Sequence, residues 1–319
     1  MKHDILRPVS LALEKSIPHF KGKKAGGHGQ PVFSVFDKPA QAPYLQEEEV
    51  LLRRKASVAG YFYPSGETEL KETIGRMVDP GREKKEALCV VSPHAGFEYS
   101  GPVAGAVFSS IRLPAKYIIL GPNHGYVHTR FAIMREGVWE NPLGNVPVDR
   151  DLAEAIMKLS STIAVDRAAH AREHSLEVQL PFIQFFRRDI SIVPISISST
   201  ASYDELSELG RVLGVAVRER GGEVLIIAST DMSHYVDGEV AKEKDFKAID
   251  RILSLDAEGL YRVVQNENIS MCGYQPTTAA IVAALSLGAK NAELIKYQTS
   301  GDVTGDYREV VGYAGIRIS

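Results

Sequence analysis

The sequence predicts an α/β domain with a mixed, largely parallel central sheet and helices on both of its faces. Two observations predict this class. Short, continuous apolar runs, as expected for strands buried on both faces, occur at residues 87–91, 117–120, 190–197 and 224–228. Segments with helical patterns lie between these runs, which is the arrangement that joins parallel strands by crossover helices.

The helices follow in chain order. A helix rich in small residues is predicted at about 103–111, after the first apolar run. Leu206, Leu209 and Leu213 recur at the spacing of one helical face, which predicts an amphipathic helix between the third and fourth runs. The remaining predicted elements are a helix at 277–287 and strands at 293–298 and 310–318.

Residues 1–50 differ from the rest of the chain and are predicted to form a loosely structured N-terminal arm. They contain five prolines, a glycine-rich stretch around His28 and no sustained periodicity. Residues 51–319 show no internal repeat and no second boundary. We therefore predict that they form one α/β domain.

Composition excludes several classes of protein. The 44% of hydrophobic and 24% of charged residues are typical of a globular protein. A net charge of −3 offers no basic surface for nucleic acid. No apolar run approaches the roughly 20 residues that cross a bilayer, and no apolar core of signal-peptide length lies near Met1. We therefore expect a cytoplasmic protein without a nucleic-acid or membrane partner.

Histidines follow three of the predicted strands, at the point where each strand ends. His94 comes after the first run, His124 after the second, and Asp231 and His234 after the fourth. In open α/β sheets, the loops beyond the carboxyl ends of the strands converge on one crevice. The sequence therefore predicts that these side chains meet in a single site.

Cys272 lies in a different setting from Cys89, which is part of the first apolar run and reads as a small buried side chain. Pro276 suits the first turn of a helix, so Cys272 is predicted just before a helix N-terminus, where the helix dipole favours the thiolate. A thiolate is both a soft metal ligand and a nucleophile. The alternative is a buried cysteine that merely precedes a helix cap.

Two histidines and one anionic group are the usual minimum for a catalytic first-row metal ion. His94 and His124 fit the neutral imidazoles, Cys272 or Asp231 fits the anion, and His234 fits a general base. The remaining histidines are assigned elsewhere. His174 is expected to begin a helix at the floor of the cleft. There it could position the histidine loops, which is at least as good a role as binding the metal ion. His128 and His170 are expected at the surface.

Taken together, these segments resemble the Memo family, also called AmmeMemoRadiSam system protein B. The resemblance covers about residues 54–319. It rests on the ordered segments 56–64 (ASVAGYFYP), 92–96 (SPHAG), 121–124 (GPNH), 173–177 (EHSLE), 229–234 (STDMSH) and 272–273 (CG).

The resemblance implies a fold like that of class III extradiol dioxygenases, which use non-haem iron(II). It further implies that His94 and His124 are metal ligands, that His234 is the base, and that Cys272 stands where those enzymes have a glutamate. Because thiolate is softer than carboxylate, the implied metal is iron(II) or copper, and ring cleavage is not assured. Family association implies a radical-SAM protein and an AMMECR-type protein as partners.

Three hypotheses follow for function. The first is a metal-dependent redox protein or oxygenase-like enzyme with Asp231 as an orienting group. The second is a non-catalytic binding module that uses the same cleft to recognise a peptide or partner protein. The third, which the resemblance disfavours, is a hydrolase with Cys272 as nucleophile.

Overall fold

The computed structural model describes residues 52–125, 129–221 and 223–319. The predicted arm at 1–50 lies outside the described residues. The strands are β1 (Arg53–Arg54), β2 (Cys89–Ser92), β3 (Lys116–Pro122), β4 (Phe131–Ile133), β5 (Val138–Asn141), β6 (Gly144–Pro147), β7 (Ile163–Val165), β8 (Ser191–Ile197), β9 (Val224–Ser229), β10 (His234–Val236), β11 (Ala292–Thr299) and β12 (Val310–Ile318). The helices are α1 (Glu67–Gly75), α2 (Phe97–Ser109), α3 (Arg150–Leu159), α4 (Ala168–Ala171), α5 (His174–Glu177), α6 (Leu180–Phe186), α7 (Tyr203–Glu219), α8 (Gly238–Leu253), α9 (Ala257–Asn266), α10 (Tyr274–Ser286) and α11 (Gly301–Thr304).

A nine-stranded mixed sheet forms the centre of the domain. Its strand order is β10-β12-β2-β9-β3-β8-β4-β7, and β11 pairs with β12 outside this path. The four strands β2, β9, β3 and β8 are mutually parallel, whereas β4, β10, β11 and β12 add antiparallel pairs. A second sheet of three short strands has the order β1-β5-β6.

Alternate residues of the central strands enter two separate hydrophobic layers. On β3, Ile118 and Leu120 pack into the layer that includes α7, α8, α9 and α10, while Tyr117 and Ile119 pack into the layer that includes α1, α2 and α6. This two-residue period places apolar side chains on both faces of a strand, so the strand reads as an unbroken apolar run. The predicted fold class, with helices on both faces, is confirmed.

The predicted elements match those of the structure, with one larger difference. The helix predicted at 103–111 begins six residues earlier, at Phe97, and contains Pro102. Proline lacks the N–H that would bond the carbonyl of residue 98, so it costs a single bond close to the helix start. Among the described residues, no helix is both long and apolar enough to cross a membrane.

The prediction for His170 is wrong, because the structure buries this side chain completely. Its Nε2–H donates to the carbonyl oxygen of Ala132 at 3.1 Å, and its ring contacts Trp139 edge-on at 6.0 Å between centroids. Burial lowers the pKa of His170 to about 4. A lone histidine between two alanines, Ala169 and Ala171, gives no local sign that distant strands will cover it. His128, predicted beside it, lies outside the described residues.

Acidification should therefore destabilise the fold. The unfolded chain binds a proton at His170 below about pH 6.5, while the folded chain excludes it down to about pH 4. The stability that this group contributes is complete above pH 6.5 and is lost as the pH falls toward 4, a loss of about 3 kcal/mol. Urea unfolding across this range should show a weaker pH dependence for His170→Gln. An identical slope in both proteins would contradict the assignment.

Candidate metal centre

The candidate site lies at the carboxyl ends of three neighbouring strands. His94 follows β2, His124 follows β3, and Asp231 follows β9, which lies between those two strands. His234 begins β10, and Cys272 stands two residues before α10. The parallel run of β2, β9 and β3 is therefore what brings together residues that are far apart in the chain.

Two of the histidines and the cysteine could hold one metal ion. The ligand atoms of His94, His124 and Cys272 all lie within 4.8 Å of one another. Cys272 Sγ is 3.2 Å from His94 Nε2, and the two imidazole rings are 5.2 Å apart and nearly perpendicular. Ligands that each lie about 2.0–2.3 Å from a common ion are at most roughly 4.5 Å apart, so a small side-chain adjustment would close the set.

The hydrogen bonds of His94 determine which of its nitrogens carries the proton. Ser229 Oγ donates its only proton to the carbonyl oxygen of Ser175 at 2.6 Å and accepts from Gln179 Nε2 at 2.9 Å. It can therefore only accept from His94 Nδ1, which lies at 3.0 Å. Burial lowers the pKa of His94 well below its ordinary value. The ring is thus neutral, with the lone pair of Nε2 directed toward Cys272.

His124 is oriented in the same way by a buried carboxylate. Glu173 accepts from His124 Nδ1 at 2.9 Å and from the His124 backbone N–H at 2.7 Å. It also accepts from the N–H of Ser175 at 2.8 Å as the N-cap of α5. Burial raises the pKa of Glu173, but the bonds from His124 and Ser175 outweigh it and bring that pKa to about 2. Glu173 is therefore ionised and accepts a hydrogen bond from His124 Nδ1, so Nε2 is the nitrogen of His124 that could bind a metal ion.

His234 lies beside the set of three ligand atoms rather than within it. Its backbone N–H donates to Ser270 Oγ at 2.7 Å, and its Nδ1 is 2.8 Å from the carbonyl oxygen of Ser270. A carbonyl only accepts, so Nδ1 carries the proton here too. Nε2 of His234 is left as a proton acceptor, and its ring is half-buried.

Asp231 organises the loops around the site. One carboxylate oxygen accepts from the backbone N–H groups of His94 at 2.8 Å and Ala95 at 3.3 Å. The other lies 4.0 Å from His94 Nε2. The backbone N–H of Asp231 donates to Cys272 Sγ at 3.3 Å. Burial raises the pKa of Asp231, and the hydrogen bond from the backbone N–H of His94 opposes this increase. Its contacts are those of an orienting group.

Cys272 differs from its prediction in protonation. Burial raises the pKa of its thiol, and the charge of Asp231 adds to the increase. The sulfur accepts from the N–H of Asp231, and among the described residues no N–H of the first turn of α10 donates to it. Gly273 is required beside it, because a Cβ there would come within 2.4 Å of the carbonyl oxygen of Ser229.

His174 places a third imidazole at the site. The sequence analysis considered this residue either as a group that positions the histidine loops or as a metal ligand. The His174 ring stacks on that of His124 at 4.4 Å and meets that of His94 edge-on at 5.4 Å. Burial lowers the pKa of His174 to about 4, so it is neutral at pH 7. The only sequence signal was its place in segment 173–177, because no apolar strand precedes it.

His124, Glu173 and His174 also lie close enough to hold an ion. Both oxygens of Glu173 are already engaged by N–H groups, and the ring proton of His124 points at this carboxylate. A metal ion there would displace bonds that hold His124 in place. The structure therefore favours Glu173 as support for His124 and not as a ligand.

A buried ion pair braces the loop that carries Glu173 and His174. Arg54 pairs with Glu177, donates to the carbonyl oxygens of Glu173 at 2.7 Å and His170 at 3.1 Å, and lies over the ring of Trp139. Glu177 also accepts from Ser57, Val58 and Tyr63. The sequence patterns did not pair these two residues, because they are 123 positions apart.

Comparisons with known proteins show which family and which solved structure this chain is similar to. A family model described as "Memo-like protein" matches residues 54–317. A MEMO1 family protein of Pyrobaculum arsenaticum is 44% identical over 276 residues, covering 82% of this chain and 98% of the relative. One of Methanothermobacter thermautotrophicus is 39% identical over 273 residues, with the same coverage. The solved structure of uncharacterized protein JW3007 from Escherichia coli K12 has a TM-score of 0.51 at 14% identity, covering 72% of this chain and 99% of that one, and so shares the fold.

Proposed function

Because the chain belongs to the Memo-like protein family, we propose that it is a metal-binding redox protein whose iron or copper ion is held by His94, His124 and Cys272. One observation carries this proposal. Two imidazoles, each with a proton held at Nδ1, and one thiol have ligand atoms that all lie within 4.8 Å of one another. Such preorganised donors are costly to assemble in a fold that does not use them.

The donor set suits these two metals. Imidazole is a good ligand for both iron and copper, and thiolate adds a preference for copper(I). When bound, either ion would supply a one-electron redox centre with coordination positions left open. Cys272 must lose its proton to become a ligand, so metal binding would be linked to proton release.

The surrounding residues of the chain hold and move protons. His234 Nε2 is the proton acceptor beside the site, because Ser270 keeps the other nitrogen protonated. Asp231 fixes the loop that carries His94. His174 adds a neutral imidazole whose ring limits the space next to His124. These roles are those of a base, an orienting group and a wall of the site.

Elemental analysis of anaerobically purified protein tests the proposal directly. We expect iron or copper at close to one equivalent, either as isolated or after reconstitution. Protein that takes up neither metal under both conditions would contradict it, and would favour a recognition module that uses the same cleft.

The hydrogen bonds from His124 to Glu173 lead to a second prediction, on the affinity of the site for metal. Glutamine at this position has one oxygen instead of two, and its NH₂ group faces an N–H of His124, so the imidazole loses its fixed orientation. Glu173→Gln should weaken metal affinity roughly 10–100-fold, measured by competition with a chelator. The matched control is Glu98→Gln, an exposed position on α2. Equal affinities for the two variants would contradict the role given to Glu173.

A further inference from the structure

A cleft of about 890 Å³ opens beside the candidate metal centre. One side includes Ala95, which follows His94, and Tyr235, which follows His234. The other side comes from β12 and from residues 300–309, which precede it. A volume of this size accepts a small organic ligand, and the cleft contains none of the groups assigned to metal binding.

Three tyrosines, Tyr99, Tyr235 and Tyr313, line the cleft. Tyr313 is only 2% exposed, yet its hydroxyl has no hydrogen-bond partner among the described residues. Tyr235 is 74% exposed and has a left-handed backbone, with φ of 55°. The register of β10 against β12 shifts at this residue. Such backbone strain gathers at functional sites, and here Tyr235 is one of the residues that line the cleft.

One of the two carboxylates of the cleft makes no direct hydrogen bond or ion pair with a described residue. Both oxygens of Asp306 bind the Arg308 guanidinium, at 2.9 and 2.6 Å, so this pair is neutral overall. Glu309 forms no hydrogen bond or ion pair with any described residue, and its charge acts on the neighbouring Arg308. No lysine is among the lining residues. The lining therefore carries two carboxylates and one guanidinium, a net charge of −1, and Asp306 engages two of the five N–H donors of Arg308.

We propose that this cleft binds an organic cation, an ammonium group held between the tyrosine rings and Glu309. The negative faces of aromatic rings attract cations, and a desolvated ring contributes most. Glu309 adds the opposite charge, and the free hydroxyl of Tyr313 is an acceptor for an N–H donor. Only the further step, that the bound cation is presented to the metal centre, rests on the proposed function.

Calorimetric titration of the full chain with three probes tests the charge preference. The probes are choline, its neutral isostere 3,3-dimethyl-1-butanol, and phenyl phosphate. We expect choline to bind at least roughly tenfold more tightly than either of the others. Equal binding of the neutral isostere, tighter binding of phenyl phosphate, or no measurable binding of choline would each overturn the proposal.

Paired variants locate the site. Glu309→Gln and Tyr235→Leu should each weaken choline binding roughly tenfold. Glu208→Gln on α7 and Tyr61→Leu, exposed residues outside the cleft, should leave it unchanged. If the controls weaken binding as much as the cleft variants do, the cleft is not the site.

A metal-binding variant separates this inference from the proposed function. Cys272→Ser should still bind choline, since the thiol does not line the cleft. Choline binding by wild-type protein that takes up neither iron nor copper would support the cleft and contradict the metal centre. Loss of choline binding in Cys272→Ser, with normal thermal unfolding, would count against a separate cation cleft.

Discussion

Cys272→Ser should purify without stoichiometric metal and should not regain it on reconstitution. A hydroxyl is a much harder and weaker donor than a thiolate for copper(I) or iron(II). Changes to groups that only support a ligand cost 10–100-fold in affinity, so removal of the ligand itself should cost roughly 100-fold or more. Elemental analysis and competition with a chelator measure the loss.

The second cysteine of the chain supplies the matched control. Cys89 is fully buried on β2 within the hydrophobic core and offers no ligand atom to the site. Cys89→Ala should therefore retain the metal, while losing about 1 kcal/mol of stability from the smaller side chain. The free energy of unfolding of the wild-type protein should rise on metal addition, whereas that of Cys272→Ser should not. Metal retained by Cys272→Ser, or lost equally from both variants, would contradict the assignment.

Arg54→Ala should cause the largest loss of stability of any change considered, about 3–5 kcal/mol. Arg54 is 6% exposed, and its partner Glu177 is fully buried. Without the guanidinium, a carboxylate remains in the interior with no opposing charge, and two backbone carbonyls lose a donor. One of them belongs to Glu173, so metal affinity should also fall. Urea unfolding measures the first effect and chelator competition the second.

The preceding residue provides the comparison for Arg54. Arg53 forms an ion pair with Glu140, but its side chain is about half exposed. Arg53→Ala should therefore cost less than about 1 kcal/mol. In addition, the double variant Arg54→Met with Glu177→Met should be less destabilised than Arg54→Met alone, because it leaves no buried charge. Similar losses for Arg53→Ala and Arg54→Ala would show that burial of the pair is not what matters.

The strands and the meeting of their loops followed from local sequence patterns. Buried parallel strands appear as unbroken apolar runs, and the carboxyl ends of such strands converge by geometry. That reasoning was enough to expect His94, His124 and Asp231 together, and the structure brings them together with Cys272. The resemblance to the Memo family is confirmed by the comparisons.

Other features depended on which distant groups surround a side chain. The proton positions on His94 and His124 are set by Ser229 and Glu173, which lie 135 and 49 residues away in the chain. The position of His174 at the site, the burial of His170 and the raised pKa of the Cys272 thiol likewise follow from packing.

The sequence by itself determined the fold class, the family and the group of strand-end residues, because hydrophobic period and strand direction are properties of short segments. Only the tertiary structure decided which nitrogen of each histidine is free, which carboxylate supports His124, and where Arg54 and Glu177 meet. Those outcomes are set by desolvation and by hydrogen bonds between residues far apart in the chain, and neither leaves a local pattern in the sequence.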